Sequence, residues 1–441
     1  MRPPSGLTKE LYERHRAGAI GEACLRQQRL LACSLAQIDK RCSLDRALEY
    51  SQELLRRLPE SATEWHILGA IQLAAGRCDE ALQSVQTARA INPNDPQLWY
   101  HVGHCSYALG DQAQGRAAYQ WARDLTPDPT LKESDFNPWL RRGDYDAGWR
   151  DWAQVGDRLL GGGGGTNRAY WSVRPLIGRP VWKGDRIAGR LLVNFEHGHG
   201  DAFMMLRWIP ELLRRVGALR LQVNPEQLSL VAAQWPNVDV VPWSDDPGGF
   251  ECCTLSFSLP HLFGVKHPDD VRAKPYLRAV GEFRPLEGAF RVGLRWAGNP
   301  GLRHDLLRST ELSAWKAVLD VPGVTFYSLQ LGSGAEQLSE YAGRIHDLGP
   351  ELTDWAQTAA AMMQLDLVIS VDTSVAHLAG ALGRPVWICL PSLPEWRWML
   401  DQLDTPWYGS ARLFRQERVG DWSGVFAEVA AALADCVRAA T

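Results

Sequence analysis

Equivalent residues recur every 34 positions in the first third of the chain, and this period constrains the fold more than any other feature of its 441 residues. Trp65 is matched by Trp99, Leu68 by Val102, Gly69 by Gly103, Gly76 by Gly110, Val85 by Tyr119, Ala88 by Ala122 and Pro93 by Pro127. A fixed period of this length means a stack of supersecondary units, none of which buries its apolar face alone. Each unit is predicted to be a hairpin of two helices. Gly69, Ala81 and Ala88 are small enough for the helices to approach, and the proline closes the second helix. An earlier copy keeps Ala47 and Pro59 in phase with Ala81 and Pro93, so three repeats cover roughly residues 28–129. Gly143-Asp-Tyr-Asp-Ala-Gly-Trp149 reads as a degenerate last half-repeat that caps the stack.

The spacing and residue types resemble the tetratricopeptide repeat. Such superhelices present a concave groove to a peptide or partner protein, and a stack this short serves equally as a structural extension of the domain behind it. The repeat domain, with its N-terminal extension and cap, is expected to occupy residues 1–160. Residues 161–189 are expected to be a linker that begins with Gly161-Gly-Gly-Gly-Gly165. No strand leads into these glycines and no lysine follows, so they do not read as a phosphate loop.

From Arg190 the pattern changes to alternating strands and helices. Strands are predicted at 191–195, 219–223, 238–241 and 252–257, with a helix over 201–216. After a crossover at 274–287, a second set follows at 290–298, 325–329, 344–348, 367–371, 385–390 and 411–414. These make two Rossmann-like domains, 190–285 and 286–441, with a ligand cleft between them. The fold class expected for the whole chain is therefore helical repeats followed by two α/β domains. Within the second set, Leu367 to Val371 is a continuous apolar run, as in a strand buried on both faces. Asp372, Thr373 and Ser374 come next, where an N-cap belongs, and apolar residues at helical spacing continue to Gly383. A turn of this kind attracts phosphate to the free N–H groups of the helix, but it is also an ordinary way to begin any helix.

Charge argues against polyanionic partners, since 47 lysines and arginines nearly balance 51 aspartates and glutamates. No apolar run reaches membrane-spanning length, and the first residues lack the apolar core of a signal peptide, so a cytoplasmic protein is expected. The nine cysteines form no C-x-x-C pair and are expected to be reduced. Most of the 19 tryptophans are expected in cores or domain interfaces.

Five further motifs carry a resemblance: Glu196-His-Gly-His-Gly-Asp201, Gly293-Leu-Arg-Trp-Ala-Gly-Asn-Pro300, Asp347-Leu-Gly-Pro-Glu-Leu-Thr-Asp354, the Asp372 turn, and Pro394-Glu-Trp-Arg-Trp398 with Arg412-Leu-Phe-Arg-Gln416. In this order they resemble tetratricopeptide proteins with a heptosyltransferase-like glycosyltransferase domain, over nearly everything from about residue 140 onward. The resemblance implies a GT-B fold, with the acceptor in the first half and a nucleotide-diphosphosugar in the second, and inverting, metal-independent transfer with no cofactor. It implies that Asp201 is the general base for the acceptor hydroxyl. His197 and His199 depart from the glutamine and leucine usual in tetratricopeptide relatives, so either histidine is a candidate to share or take that role. Arg308 corresponds to the cation that grips the donor diphosphate. Asp372, Thr373 and Ser374 would offer donors to the phosphates, with His377 one turn into the helix.

Each residue also has a structural reading: an N-cap for Asp201, a solvated arginine, a packed helix histidine, and core packing for Trp396 and Trp398. No H-x-x-x-H, C-x-x-C or D-x-D stands where it would bind metal. The acceptor is expected to be a protein or a glycan. Two rivals remain: a non-catalytic adaptor with a degenerate transferase domain, and a nucleotide-sugar epimerase on the same fold.

Overall fold

A computed structural model of the protein describes residues 42–440, apart from 110, 126–135, 142, 163–167, 245, 272–273, 303–304, 393, 400–401 and 418–419. The chain forms two compact units, Met1–Pro127 and Asp128–Thr441.

The first unit holds α1 (Cys42–Arg57), α2 (Ala62–Ala74), α3 (Cys78–Ile91), α4 (Pro96–Ala108) and α5 (Gln112–Leu125). The starts of α2 and α4 lie 34 residues apart, as do those of α3 and α5. Each repeat is a helical hairpin, and the repeated residues show why. The indole of Trp65 donates to the carbonyl of Pro59 at 2.8 Å, and that of Trp99 to Pro93 at 3.0 Å. A Cβ on Gly69 would stand 2.5 Å from Val85, and one on Gly103 2.9 Å from the ring of Tyr119, so glycine sets the spacing of both hairpins. Ala47, Ala81, Ala88 and Ala122 are buried at the helix contacts. Most of the first half of the earliest repeat lies outside the described residues.

The second unit begins with α6 (Phe136–Arg141) and α7 (Tyr145–Leu160). Asp144 caps α7 by accepting from the N–H of Ala147 at 3.1 Å. The unit boundary thus falls near 127, not 160, and the Gly143–Trp149 motif belongs to the second unit. Tyr145 and Trp149 are fully buried there, ring against ring with Trp407, and Trp149 also meets Phe257 and Trp396. The stretch expected as a linker is packed as well. A 3-10 helix, Arg168–Leu176, buries Val173 and Leu176 against Leu192, Cys253 and Leu255, and Trp182 is buried beyond it. These apolar residues have neither a helical nor a strand period, so periodicity passed over them. Gly163 to Gly165 lie outside the described residues.

The first sheet contains β1 (Ile187–Asn194), followed by α8 (His199–Met205), then β2 (Val216–Val223), α9 (Leu228–Gln234), β3 (Asp239–Pro242) and β4 (Cys252–Leu255). Its order is β3-β2-β1-β4, all parallel. The helix expected over 201–216 ends at Met205 and gives way to 3-10 and short helical turns. Pro210 has no N–H to continue the ladder.

The second sheet contains β5 (Arg291–Arg295), β6 (Thr325–Ser328) and β7 (Ile345–Asp347), then α10 (Trp355–Met363), β8 (Leu367–Val371), α11 (Ser374–Ala381), β9 (Val386–Leu390), β10 (Ala411–Arg415) and α12 (Ser423–Ala440). Its order is β10-β9-β8-β5-β6-β7, again parallel throughout. All residues of β8 and β9 are buried, as their unbroken apolar runs require. The architecture is therefore helical tetratricopeptide-type repeats followed by two Rossmann-like domains, a GT-B fold. In each sheet the strand order reverses once, between β1 and β4 and between β5 and β8. Ligands of open parallel sheets bind beyond the carboxyl ends of the strands at such points.

Candidate active site at the two switch points

Two helix N-termini, those of α8 and α11, meet where the sheets face one another. A Cβ on Gly200 would lie 2.5 Å from Cδ2 of His377, so only glycine lets α8 rest on the imidazole of α11. Elsewhere the sheets are tied by Ser229, which donates to Asp354 at 2.7 Å, and by Arg207, which donates to the carbonyl of Trp407 at 2.9 Å.

On the first side, Gly198 is the extended N-cap of α8, and Asp201 sits in the first turn. Its carboxylate forms an ion pair with Arg397, 196 residues away on the second side. Burial alone would raise the pKa of Asp201. The charge of Arg397 outweighs it and holds the carboxyl below the usual range. The His197 ring packs edge-on against Phe257 and Trp152, with Nε2 3.7 Å from Glu196. The His199 ring lies 3.1 Å from Glu226 and 5.1 Å from the Trp355 ring, and burial pushes its pKa down. Glu196 itself is buried and structural: it accepts from the N–H and hydroxyl of Ser256, both at 2.9 Å, and so fixes the turn after β4.

On the second side, Thr373 is the extended N-cap of α11 but makes no side-chain cap hydrogen bond; its hydroxyl lies 3.0 Å from that of Ser370. Of the first amides of α11, those of Ala376 and His377 donate to the Thr373 carbonyl at 3.0 and 3.4 Å, and those of Ser374 and Val375 lack acceptors within the helix. Arg308 donates to the carbonyl of Asp372 at 2.7 Å and to Asp305 at 3.0 Å, which places its guanidinium beside this turn. A Cβ on Gly298 would collide with it. Asp372 is buried, which pushes its pKa up against the opposing charges of Arg308 and Arg397. His377 is stacked on Trp398 and hydrogen-bonded through Nδ1 to the Tyr408 hydroxyl at 2.8 Å. Burial, aided by the cation of Arg397, lowers its pKa to about 3, so the ring is neutral. Burial and the charge of Arg308 likewise lower Arg295 to about 10.

Asp201, Arg308, Asp372, Thr373, Ser374 and His377 thus gather where α8 and α11 meet, with the rings of His197 and His199 packed on aromatic neighbours. Trp396 and Trp398 are core residues, 1% and 0% exposed. Sequence reasoning singled out the tryptophans of that motif and missed the arginine between them. Among the described residues, no three His, Cys, Asp or Glu side chains gather as a metal-ligand set.

No family model matches the chain. Protein FlbA of Caulobacter vibrioides is 23% identical to it over 92% of this chain and 72% of FlbA. Among solved structures, a mutant O-GlcNAc transferase of Thermobaculum terrenum is 13% identical, covering 94% of this chain and 92% of its own, with a TM-score of 0.33. A thermophilic TPR protein of Thermus thermophilus is 21% identical over 34% of this chain and 88% of that one, with a TM-score of 0.28. No described helix is long and apolar enough to cross a membrane.

Proposed function

We propose that this chain is an inverting glycosyltransferase of the GT-B type, of the heptosyltransferase-like kind, that uses a nucleoside-diphosphate sugar without divalent metal. The observation that carries the reading is the opposition of a carboxylate and a set of cations across two switch points: Asp201 on one side, Arg308, Arg397 and the start of α11 on the other. In the reaction, the acceptor hydroxyl loses its proton to a carboxylate oxygen of Asp201 while its oxygen attacks the anomeric carbon. The bond from that carbon to the diphosphate oxygen breaks, and its electron pair leaves with the phosphate. Arg308 and the free amides of α11 stabilise that charge. A single displacement inverts the anomeric centre. The repeats of the first unit would hold a protein or glycan acceptor.

The test is a melting-temperature panel of ADP-, UDP-, GDP- and dTDP-sugars in EDTA, followed by a transfer assay with the donor that binds. One donor should raise the melting temperature, because a ligand that binds only the native state stabilises it. A rise seen only with magnesium or manganese would overturn the metal-free reading. A second reading, a binding protein without transfer, draws support from the same ion pair, because a carboxylate held by a guanidinium takes up a proton poorly. Binding of a donor with no transfer to any acceptor would decide for it.

A further inference from the structure

Arg397 lies between Trp396 and Trp398, two of the most deeply buried side chains of the second unit, and its own side chain is only 13% exposed. A cation this deeply placed needs a permanent counter-charge. It has Asp201 as its ion partner and Glu395 at 3.6 Å, while its flat face lies 4.5 Å over the Trp396 ring. Its Nε is buried and has no hydrogen-bond partner. The guanidinium therefore has donor capacity to spare, and its field reaches Asp372 at the mouth of α11 as well as Asp201.

We propose that Arg397 is a switching cation: in the ligand-free protein it pairs with Asp201, and an arriving nucleoside diphosphate takes it over and releases the Asp201 carboxylate. This rests on the nucleoside-diphosphate donor proposed for the cleft. A diphosphate offers a planar guanidinium several charged oxygens and a bidentate fit, which a single carboxylate oxygen does not. The exchange keeps the buried guanidinium compensated at each stage, while Asp201 loses its counter-charge and is left with the burial that raises its pKa. It also orders the reaction, because Asp201 recovers basicity only after the donor is seated. A base free before then would serve no purpose.

The inference is tested by a double-mutant cycle on nucleoside diphosphate affinity, with ADP, UDP, GDP and dTDP as the probes, measured by calorimetry on the full chain. Asp201→Asn removes the competing charge and should tighten binding by about tenfold, the factor expected if the unpaired, binding-competent Arg397 makes up roughly a tenth of the ligand-free protein. Arg397→Met should weaken binding by tenfold or more. In the double variant the gain from Asp201→Asn should vanish, because there is no longer a cation to release. The Asp201→Asn arm stands alone if Arg397→Met does not fold. Unchanged or weaker affinity in Asp201→Asn overturns the switch and leaves the donor reading intact. Failure of the wild type and every variant to bind any of the four diphosphates overturns the donor reading, and the switch with it.

Discussion

Strand, turn and helix N-terminus occur twice at the centre of the second unit, after β1 and after β8, and side chains give the two copies opposite electrical characters. Both turns enter their helix through an extended N-cap, Gly198 in one and Thr373 in the other. Around the start of α8 stand Glu196, His197, His199 and Asp201; around the start of α11 stand two cations, Arg308 and Arg397, with a neutral His377, the carboxylate of Glu395, and Asp372, whose pKa burial raises. The backbone offers the same unpaired amides at each place, so the fold alone assigns no role to either. Residue choice makes one side suited to taking a proton and the other to holding an anion.

The largest expected effect comes from erasing that difference at Asp201. Asp201→Asn keeps size and hydrogen-bonding capacity but loses basicity, so transfer should fall by roughly 10²–10⁴-fold while donor binding persists. A purely structural Asp201 would leave transfer intact in the folded variant, although asparagine cannot balance the charge of the buried Arg397 and the change should cost roughly 3–5 kcal/mol of stability. Steady-state transfer rates decide between them, with a denaturation curve on the same variant to show that it is folded.

The anion side is sharpened by pH. His377 is held neutral, with its pKa lowered to about 3 by burial and the nearby cation of Arg397, whereas in the unfolded chain it titrates near the ordinary histidine value of 6.5. Between those values the unfolded state binds a proton that the native state refuses. Stability should therefore decline as pH falls below about 6.5, by up to roughly 1.4 kcal/mol per pH unit from this residue alone. Asp201 acts in a separate window, since its lowered pKa gives stability that is present above 3.8 and lost only as pH falls further. Urea denaturation of wild type and His377→Gln from pH 7 to 4.5 reads the difference. Parallel pH slopes in the two proteins would remove His377 from the account.

Much of this arrangement was legible in the sequence where a local rule governs it. The 34-residue period gave the hairpins, and the apolar run of 367–371 gave a doubly buried strand. The turn after β8 could be read because a strand, a polar cap and a helix stand next to one another along the chain. Arg397 could not be read that way: its partner is 196 residues distant, and no periodicity marks it. One signal was available, namely a charge between two tryptophans that core packing would bury, which demands a partner. The stretch after Leu160 was misjudged for a different reason. Val173, Leu176 and Trp182 follow an irregular path onto a sheet, and amphipathic patterns describe only regular ones.

The smallest effects test whether the proton-taking side contains more than one base. His197 is packed among aromatic edges, and His199 lies beside Glu226 and Trp355, while Asp201 pairs with the cation of the opposite turn. His197→Ala and His199→Ala should each lower transfer by less than about tenfold, short of the roughly hundredfold that loss of a proton-transfer group costs at the least, and that much only through looser packing of the turn. His199→Ala should be the milder of the two, because its ring pairs with a glutamate that is 70% exposed. The measurement is the transfer rate against pH for both variants beside Asp201→Asn. Full activity in Asp201→Asn, combined with loss of more than about a hundredfold in either alanine variant, would move the base to that histidine and break the contrast between the two turns.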